Sequence, residues 1–284
     1  MSIVVTGATG NLGKFVVEGL LEKVPAEQIT AVVRSEEKGA GFAARGVKIA
    51  VADYNSPETF DGLFAAGDKV LLISGSEIGN DRVGQHQVVI DAAKAAGVAL
   101  LAYTSAPGSL TAALANDHRG TEEALLASGL TYTLLRNGWY NENYTEQLAP
   151  VLEYNAVTHA AGEGRVSSAA RADYAAAAVA VLAGEGHENK TYELGGDVAW
   201  SFAEYAAELS EQTGKEIANN AVPVEALTGI LTGAGLPEPL AAILAGVDAS
   251  IEKGELVVAS GDLSRLIGRP TTPISDSIAV ALKA

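Results

Sequence analysis

The opening thirteen residues constrain this chain more than any other stretch. A short apolar run, Ile3-Val4-Val5, leads into Gly7-Ala8-Thr9-Gly10-Asn11-Leu12-Gly13, a G-x-x-G-x-x-G spacing that opens onto a helix-forming segment. Glycine accepts the tight turn and the close approach of backbone to another group. Three glycines at a helix start weaken that helix, and a ligand resting on the backbone would explain them. Strand, glycine turn and helix in that order form a cradle for a diphosphate, with N–H groups and the partial positive charge of the helix N-terminus aimed at the anion. The bland alternative is a glycine-rich turn that binds nothing.

Five more short apolar runs follow, at 29–33, 47–51, 70–73, 100–103 and 132–135. Each is rich in Val, Ile or Leu, as strands buried on both faces are. Amphipathic stretches at 12–23, 35–45, 57–66, 83–96 and 117–128 separate the six runs. Two of these stretches close on Gly97 and Gly129 in the C-cap position. Six strands joined by five helices predict βαβ units, and right-handed crossovers give a doubly wound parallel sheet in the order 3-2-1-4-5-6. After about Tyr144 the alternation stops. Helices are expected at 171–183, 201–214, 223–234, 238–253 and 273–282, and a strand at 191–195. The expected class is α/β: a Rossmann domain over 1–150 and a smaller, mostly helical C-terminal lobe over 151–284, some of whose segments can return to the first sheet.

The formal net charge of −16 over 284 residues argues against nucleic acid as a partner. Cysteine is absent, which excludes disulfides and thiolate metal sites, and no His, Asp and Glu spacing suggests another metal. No run of eighteen apolar residues predicts a membrane span. The opening residues lack the basic start of a signal peptide, so a soluble, cytoplasmic protein is expected. In so acidic a chain an anionic dinucleotide needs local positive charge, from helix N-termini and from the few arginines.

The end of the second run supplies one such arginine. Arg34 lies 21 positions after Gly13, at a strand end where an NAD-binding fold places an acid against the ribose 2′-hydroxyl. A guanidinium there suits a 2′-phosphate, so NADP, and NADPH over NADH, is the expected coenzyme; the alternative is an exposed surface arginine. Asp53 sits where an acceptor could meet the adenine amine, or it caps the turn before Ser56-Pro57. Ser74, Gly75 and Ser76 end the fourth run, where small residues let backbone line the ribose and nicotinamide.

Thr104-Ser105 ends the fifth run, a position for a hydroxyl near the nicotinamide. The usual Tyr-x-x-x-Lys pair is missing: none of the ten lysines follows a tyrosine by four. Tyr132-x-x-x-Arg136 lies along a strand and cannot bring its two side chains together. His118 opens the next helix and can bind ribose hydroxyls or donate a proton, or it is a surface histidine. His86 reads as structural, and His159 and His187 have no suggestive context. The stretch Arg136-Asn137-Gly138-Trp139-Tyr140-Asn141-Glu142-Asn143-Tyr144 is the most unusual in the chain. It reads as a polar-rimmed aromatic pocket for a flat substrate or as a hydrophobic hinge between lobes.

The glycine loop 7–13, Arg34, Tyr103-Thr104-Ser105, Asp117-His118, Leu135-Arg136-Asn137-Gly138-Trp139-Tyr140 and Arg171-Ala172-Asp173-Tyr174-Ala175 together resemble the NmrA-like atypical short-chain dehydrogenases. Within them the chain is similar to the branch of bacterial NADPH:quinone oxidoreductases of type 2 and triphenylmethane reductases. The resemblance extends to Leu266-Ile267-Gly268-Arg269-Pro270-Thr271-Thr272. It implies NADPH held by Gly7, Thr9, Gly10, Asn11, Leu12, Gly13, Arg34, Ser74, Gly75 and Ser76, with Asn137, Trp139, Tyr140 and Asn143. It also implies hydride transfer to a quinone or conjugated dye without a tyrosine acid. Such acceptors need orientation and exclusion of water more than a strong acid. Ser105, His118 and Tyr140 are the candidates for the reacting centre, and Trp139, Tyr140 and Tyr144 for stacking a planar acceptor. Relatives that bind NADP only as a signal make a non-catalytic NADP(H)-sensing regulator the alternative. A homodimer is compatible with the sequence.

Overall fold

The computed structural model describes residues 2–75, 81–108, 110–111 and 114–283. Along the chain, β1 (Ile3–Val5), α1 (Asn11–Leu21), β2 (Ile29–Val33), α2 (Glu36–Ala43), β3 (Lys48–Val51), β4 (Lys69–Leu72), α3 (Arg82–Ala96), β5 (Leu100–Ser105), α4 (Leu114–Ser128) and β6 (Tyr132–Asn137) come first. There follow α5 (Glu142–Thr145), α6 (Leu148–Tyr154), β7 (Ala156–His159), β8 (Arg165–Val166), α7 (Arg171–Ala183), β9 (Lys190–Leu194) and β10 (Trp200–Ser201). The chain ends with α8 (Phe202–Thr213), β11 (Ala218–Ala221), α9 (Val224–Gly233), α10 (Glu238–Glu252), α11 (Asp262–Ile267) and α12 (Ile274–Ala281).

The principal sheet runs β3-β2-β1-β4-β5-β6-β9, and β1 to β6 pair in parallel. The six expected strands form in the expected order. The segment read as a strand at 191–195 is β9, which joins the sheet beside β6 as its seventh member. One expectation is corrected: 57–66 is not an α-helix. Pro57–Phe60 makes a single 3-10 turn, and Gly62 then takes a left-handed conformation at φ +70°, which ends any helix there. The short strands β7, β8, β10 and β11 have no apolar alternation, and the sequence reading passes over them.

By compactness the chain divides into two units that interleave in sequence. The first comprises Met1–Ala106, Asp117–Asn137 and Arg171–Tyr192; the second comprises Pro107–Asn116, Gly138–Ala170 and Glu193–Ala284. In the first unit, Val4, Val32, Val70, Leu72, Leu101 and Tyr103 of the sheet pack with Val89, Ile90 and Ala93 of α3. Each fully buried aliphatic side chain contributes about 1.5–3 kcal/mol. Another layer pairs α1 with the alanine-rich α7. A Cβ at Gly19 would lie 2.9 Å from Val179 Cγ2, so the absent side chain is what lets these helices approach so closely.

In the second unit β10 pairs antiparallel with β8 and β11 parallel with β7. Ser201 and Glu204 form a reciprocal capping box at the start of α8. Among the described residues no helix is long and apolar enough to cross a membrane.

Candidate functional site

The glycine loop leaves β1 at the point where the strand order reverses, between β1 and β4, the usual ligand position in an open α/β sheet. Gly7 is left-handed at φ +59°. The Gly10 N–H donates to Gly7 O at 2.9 Å, closing the turn. A Cβ at Gly13 would lie 2.3 Å from Gly7 O and 2.8 Å from Ala8 Cα, so only glycine lets α1 run so close beneath the loop. Helix α1 begins at Gly10 with no side-chain cap and no acid in its first turn. Its dipole end is therefore left to whatever binds there, and the cradle fits a diphosphate.

Arg34 is exposed just beyond β2. Beside the loop lies a cavity of about 540 Å³ lined by Thr9, Asn11, Lys14, Phe15, Lys38, Phe42 and Arg171, among others. It gathers three cations, Lys14, Lys38 and Arg171, against one acid, Glu18, in a chain of net charge −16. Sequence reasoning singled out neither Lys14 nor Lys38, and Arg171 only as part of a resemblance motif with no role. The faces of α1 and α2 that carry the two lysines could have been read from their helical spacing, but Arg171 arrives from a distant segment. The Asp53 carboxylate caps its own turn, accepting from the Asn55 backbone at 2.9 Å and from its side-chain amide at 3.1 Å.

Past the end of β4 three successive backbone N–H groups are each taken by a side chain. Ile73 donates to Thr6 Oγ1 at 3.1 Å, Ser74 to Thr104 Oγ1 at 2.9 Å and Gly75 to His86 Nε2 at 3.0 Å. Tyr54 adds a hydrogen bond from its hydroxyl to Ile73 O at 2.9 Å. Ser76 lies outside the described residues.

Beneath this edge is a buried polar cluster. Ser105 donates to Glu122 Oε1 at 2.5 Å, and Arg136 clamps the same carboxylate through Nε at 2.9 Å and Nη2 at 2.6 Å. The Ser105 proton is thus committed, and its oxygen remains able to accept. His118 Nδ1 lies 2.9 Å from the Tyr103 hydroxyl. Burial pushes the Tyr103 phenol up to about 12. Burial, with the Arg82 guanidinium second, brings His118 down to about 4. Burial likewise brings His86 down to about 3, helped by His118 and Arg82. Both imidazoles are therefore neutral at physiological pH.

In the second unit the segment after Asn137 is anchored through Asn141, a residue sequence reasoning did not single out. Asn141 is fully buried. Its Nδ2 donates to Thr272 O at 3.1 Å and to Ser277 Oγ at 2.9 Å. Its Oδ1 accepts from Ser168 Oγ at 2.6 Å, which in turn accepts from Trp200 Nε1 at 2.8 Å. Trp139, Tyr140 and Asn143 are half-buried. The Tyr144 ring meets Trp200 edge-on at 4.8 Å and neighbours Phe202 and Tyr205. Among the described residues no group of three or more His, Asp or Glu could hold a metal ion.

A parallel sheet with a glycine loop at its switch point and an uncapped helix behind it defines a dinucleotide-binding protein of the Rossmann type. A family model described as NAD(P)H-binding matches residues 7–185, and the chain belongs to that family. It is 46% identical over 278 residues to quinone oxidoreductase 2 of Escherichia coli strain K12, with 97% of each chain covered. A solved structure of an NADPH-dependent quinone oxidoreductase from Escherichia coli, complexed with NADPH, matches at a TM-score of 0.95 and 45% identity over 99% of both chains. The triphenylmethane reductase of a Citrobacter species, solved with NADP(H), matches at a TM-score of 0.94 and 42% identity, covering 99% of this chain and all of that one.

Proposed function

We propose that this protein is an NADPH-dependent reductase whose acceptor is a quinone or a similarly planar, conjugated molecule. The observation that carries the reading is the glycine cradle on an uncapped α1, in a chain 46% identical to a quinone oxidoreductase. NADPH supplies the hydride. Backbone amides of residues 7–13 bind its diphosphate, and Arg34 with Lys38 meets the 2′-phosphate. The nicotinamide half belongs with β4 to β6, where Ser74 and Gly75 offer backbone and Ser105 offers an accepting oxygen. His118, with Nδ1 engaged by Tyr103, presents Nε2 to a ligand as a neutral group. It can orient a carbonyl or a ribose hydroxyl without itself becoming charged. Trp139 and Tyr140 supply aromatic surface for the acceptor. The reduced product takes its proton from solvent, which fits the missing Tyr-x-x-x-Lys pair.

The test is NADPH oxidation by the purified protein across a panel of simple quinones and one triphenylmethane dye. The expected result is acceptor-dependent turnover with NADPH well above that with NADH. No rate above background with any acceptor would exclude the reading.

A further inference from the structure

We propose that His86 is a positioning residue for the nicotinamide end of the coenzyme, acting through the backbone of Gly75. The inference rests on the NADPH-reductase reading above. Ladder pairing of β4 with β5 ends at Leu72 opposite Tyr103, so Gly75 lies three residues beyond the support of the sheet. The His86 imidazole replaces that support. It is fully buried, and both ring nitrogens are engaged. Nε2 accepts from Gly75 N–H at 3.0 Å, and Nδ1 lies 2.8 Å from Thr121 Oγ1, which donates to Asp117 O at 2.9 Å.

A backbone donor closes one end of this chain and a backbone acceptor the other, so every proton in it points the same way. Nδ1 must carry the hydrogen and Nε2 must be bare. A protonated ring would set one donor against another. Burial makes that second proton unfavourable, with His118 and Arg82 adding to it. The result is a directed wire from the first turns of α4 to the edge of β4. A mechanical consequence follows. The adenylate half of a dinucleotide rests on β1 to β3 and the nicotinamide half on β4 to β6. Loosening Gly75 should therefore damage one half of the binding and spare the other.

The experiment compares binding of NADPH with binding of 2′,5′-ADP, the adenylate fragment, by calorimetry. Wild type, His86→Phe and His86→Gln are measured alongside quinone turnover. His86→Phe is expected to weaken NADPH at least tenfold while 2′,5′-ADP stays within twofold. His86→Gln, whose amide can accept from Gly75 and donate to Thr121, is expected to recover most of the loss. NADPH affinity within twofold of wild type in His86→Phe, or equal weakening of both ligands, would overturn the proposal. Should that variant not fold, Thr121→Val removes the partner of Nδ1 at nearly constant shape and carries the same comparison, with the same outcomes deciding it. Wild-type protein that failed to bind NADPH would instead defeat the functional reading.

Discussion

In the proposed reading Gly13 and Arg34 serve the same coenzyme through opposite kinds of chemistry, and their substitutions should separate cleanly. An alanine methyl at position 13 would sit inside contact distance of Gly7 O and Ala8, with backbone on both sides and no flexible side chain to yield. Gly13→Ala is expected to cost about 1–3 kcal/mol of stability by overpacking and to abolish measurable NADPH binding, seen by thermal denaturation and titration. Arg34→Ala leaves the packing intact because the residue is exposed. It should raise the Michaelis constant for NADPH about tenfold or more, in keeping with loss of a charge-assisted pair, and leave that for NADH nearly unchanged. Equal loss with both coenzymes would refute the 2′-phosphate assignment. The glycines were legible in the sequence because their spacing is local. Glu122, Asn141 and the role of His86 were not, because each owes its meaning to partners 11 to 136 positions away.

At the level of elements, periodicity carried the reading as far as it could. Strands β1, β2, β4, β5 and β6 were visible as apolar runs because most of their residues are buried, and the edge strand β3 kept an apolar run although Lys48 and Val51 are exposed; α7 was visible because alanine-rich helices pack closely. The segment after β3 misled because Pro57 and Glu58 look like a helix start while Gly62 stops the turn. Helices α3 and α4 also hold the two neutral histidines, and this fixes a pH response. A histidine whose value is lowered in the folded state takes up its proton more readily when unfolded. Their contribution is full above about 6.5 and is lost as pH falls toward about 4 for His118 and about 3 for His86. Chemical denaturation between pH 7 and pH 4 should show falling stability, and His86→Gln should flatten the slope. An unchanged slope in that variant would show that His86 titrates normally.

For the molecule as a whole, the second unit contains a carboxylate that opposes this trend. Asp248 of α10 accepts from the Ala160 N–H at 2.8 Å, yet burial raises it to about 6. A carboxyl raised in the folded state stabilises that state when protonated. Its contribution is therefore lost as pH rises from about 4 to about 6, and the native protein above that window carries an uncompensated charge. Asp248→Asn keeps the acceptor for Ala160 and removes the charge. It should stabilise the protein by about 1–2 kcal/mol at pH 7.5 and by little at pH 4, as guanidinium unfolding at the two values would record. A loss of stability at pH 7.5 would show that the charge is needed.

The interleaving of the two units also bears on how the protein is made. The principal sheet and its helices need α7 against α1, with Gly19 facing Val179, and β9 beside β6. They cannot be completed by the growing polypeptide until residue 194 has left the ribosome. Residues 138–170 emerge earlier and can bond among themselves, as Ser168 does to Asn141, but their partners in 193–284 arrive only later. A nascent chain stalled at 150 should expose the apolar face of α1 and cling to chaperones, whereas one released past 194 should already hold NADPH.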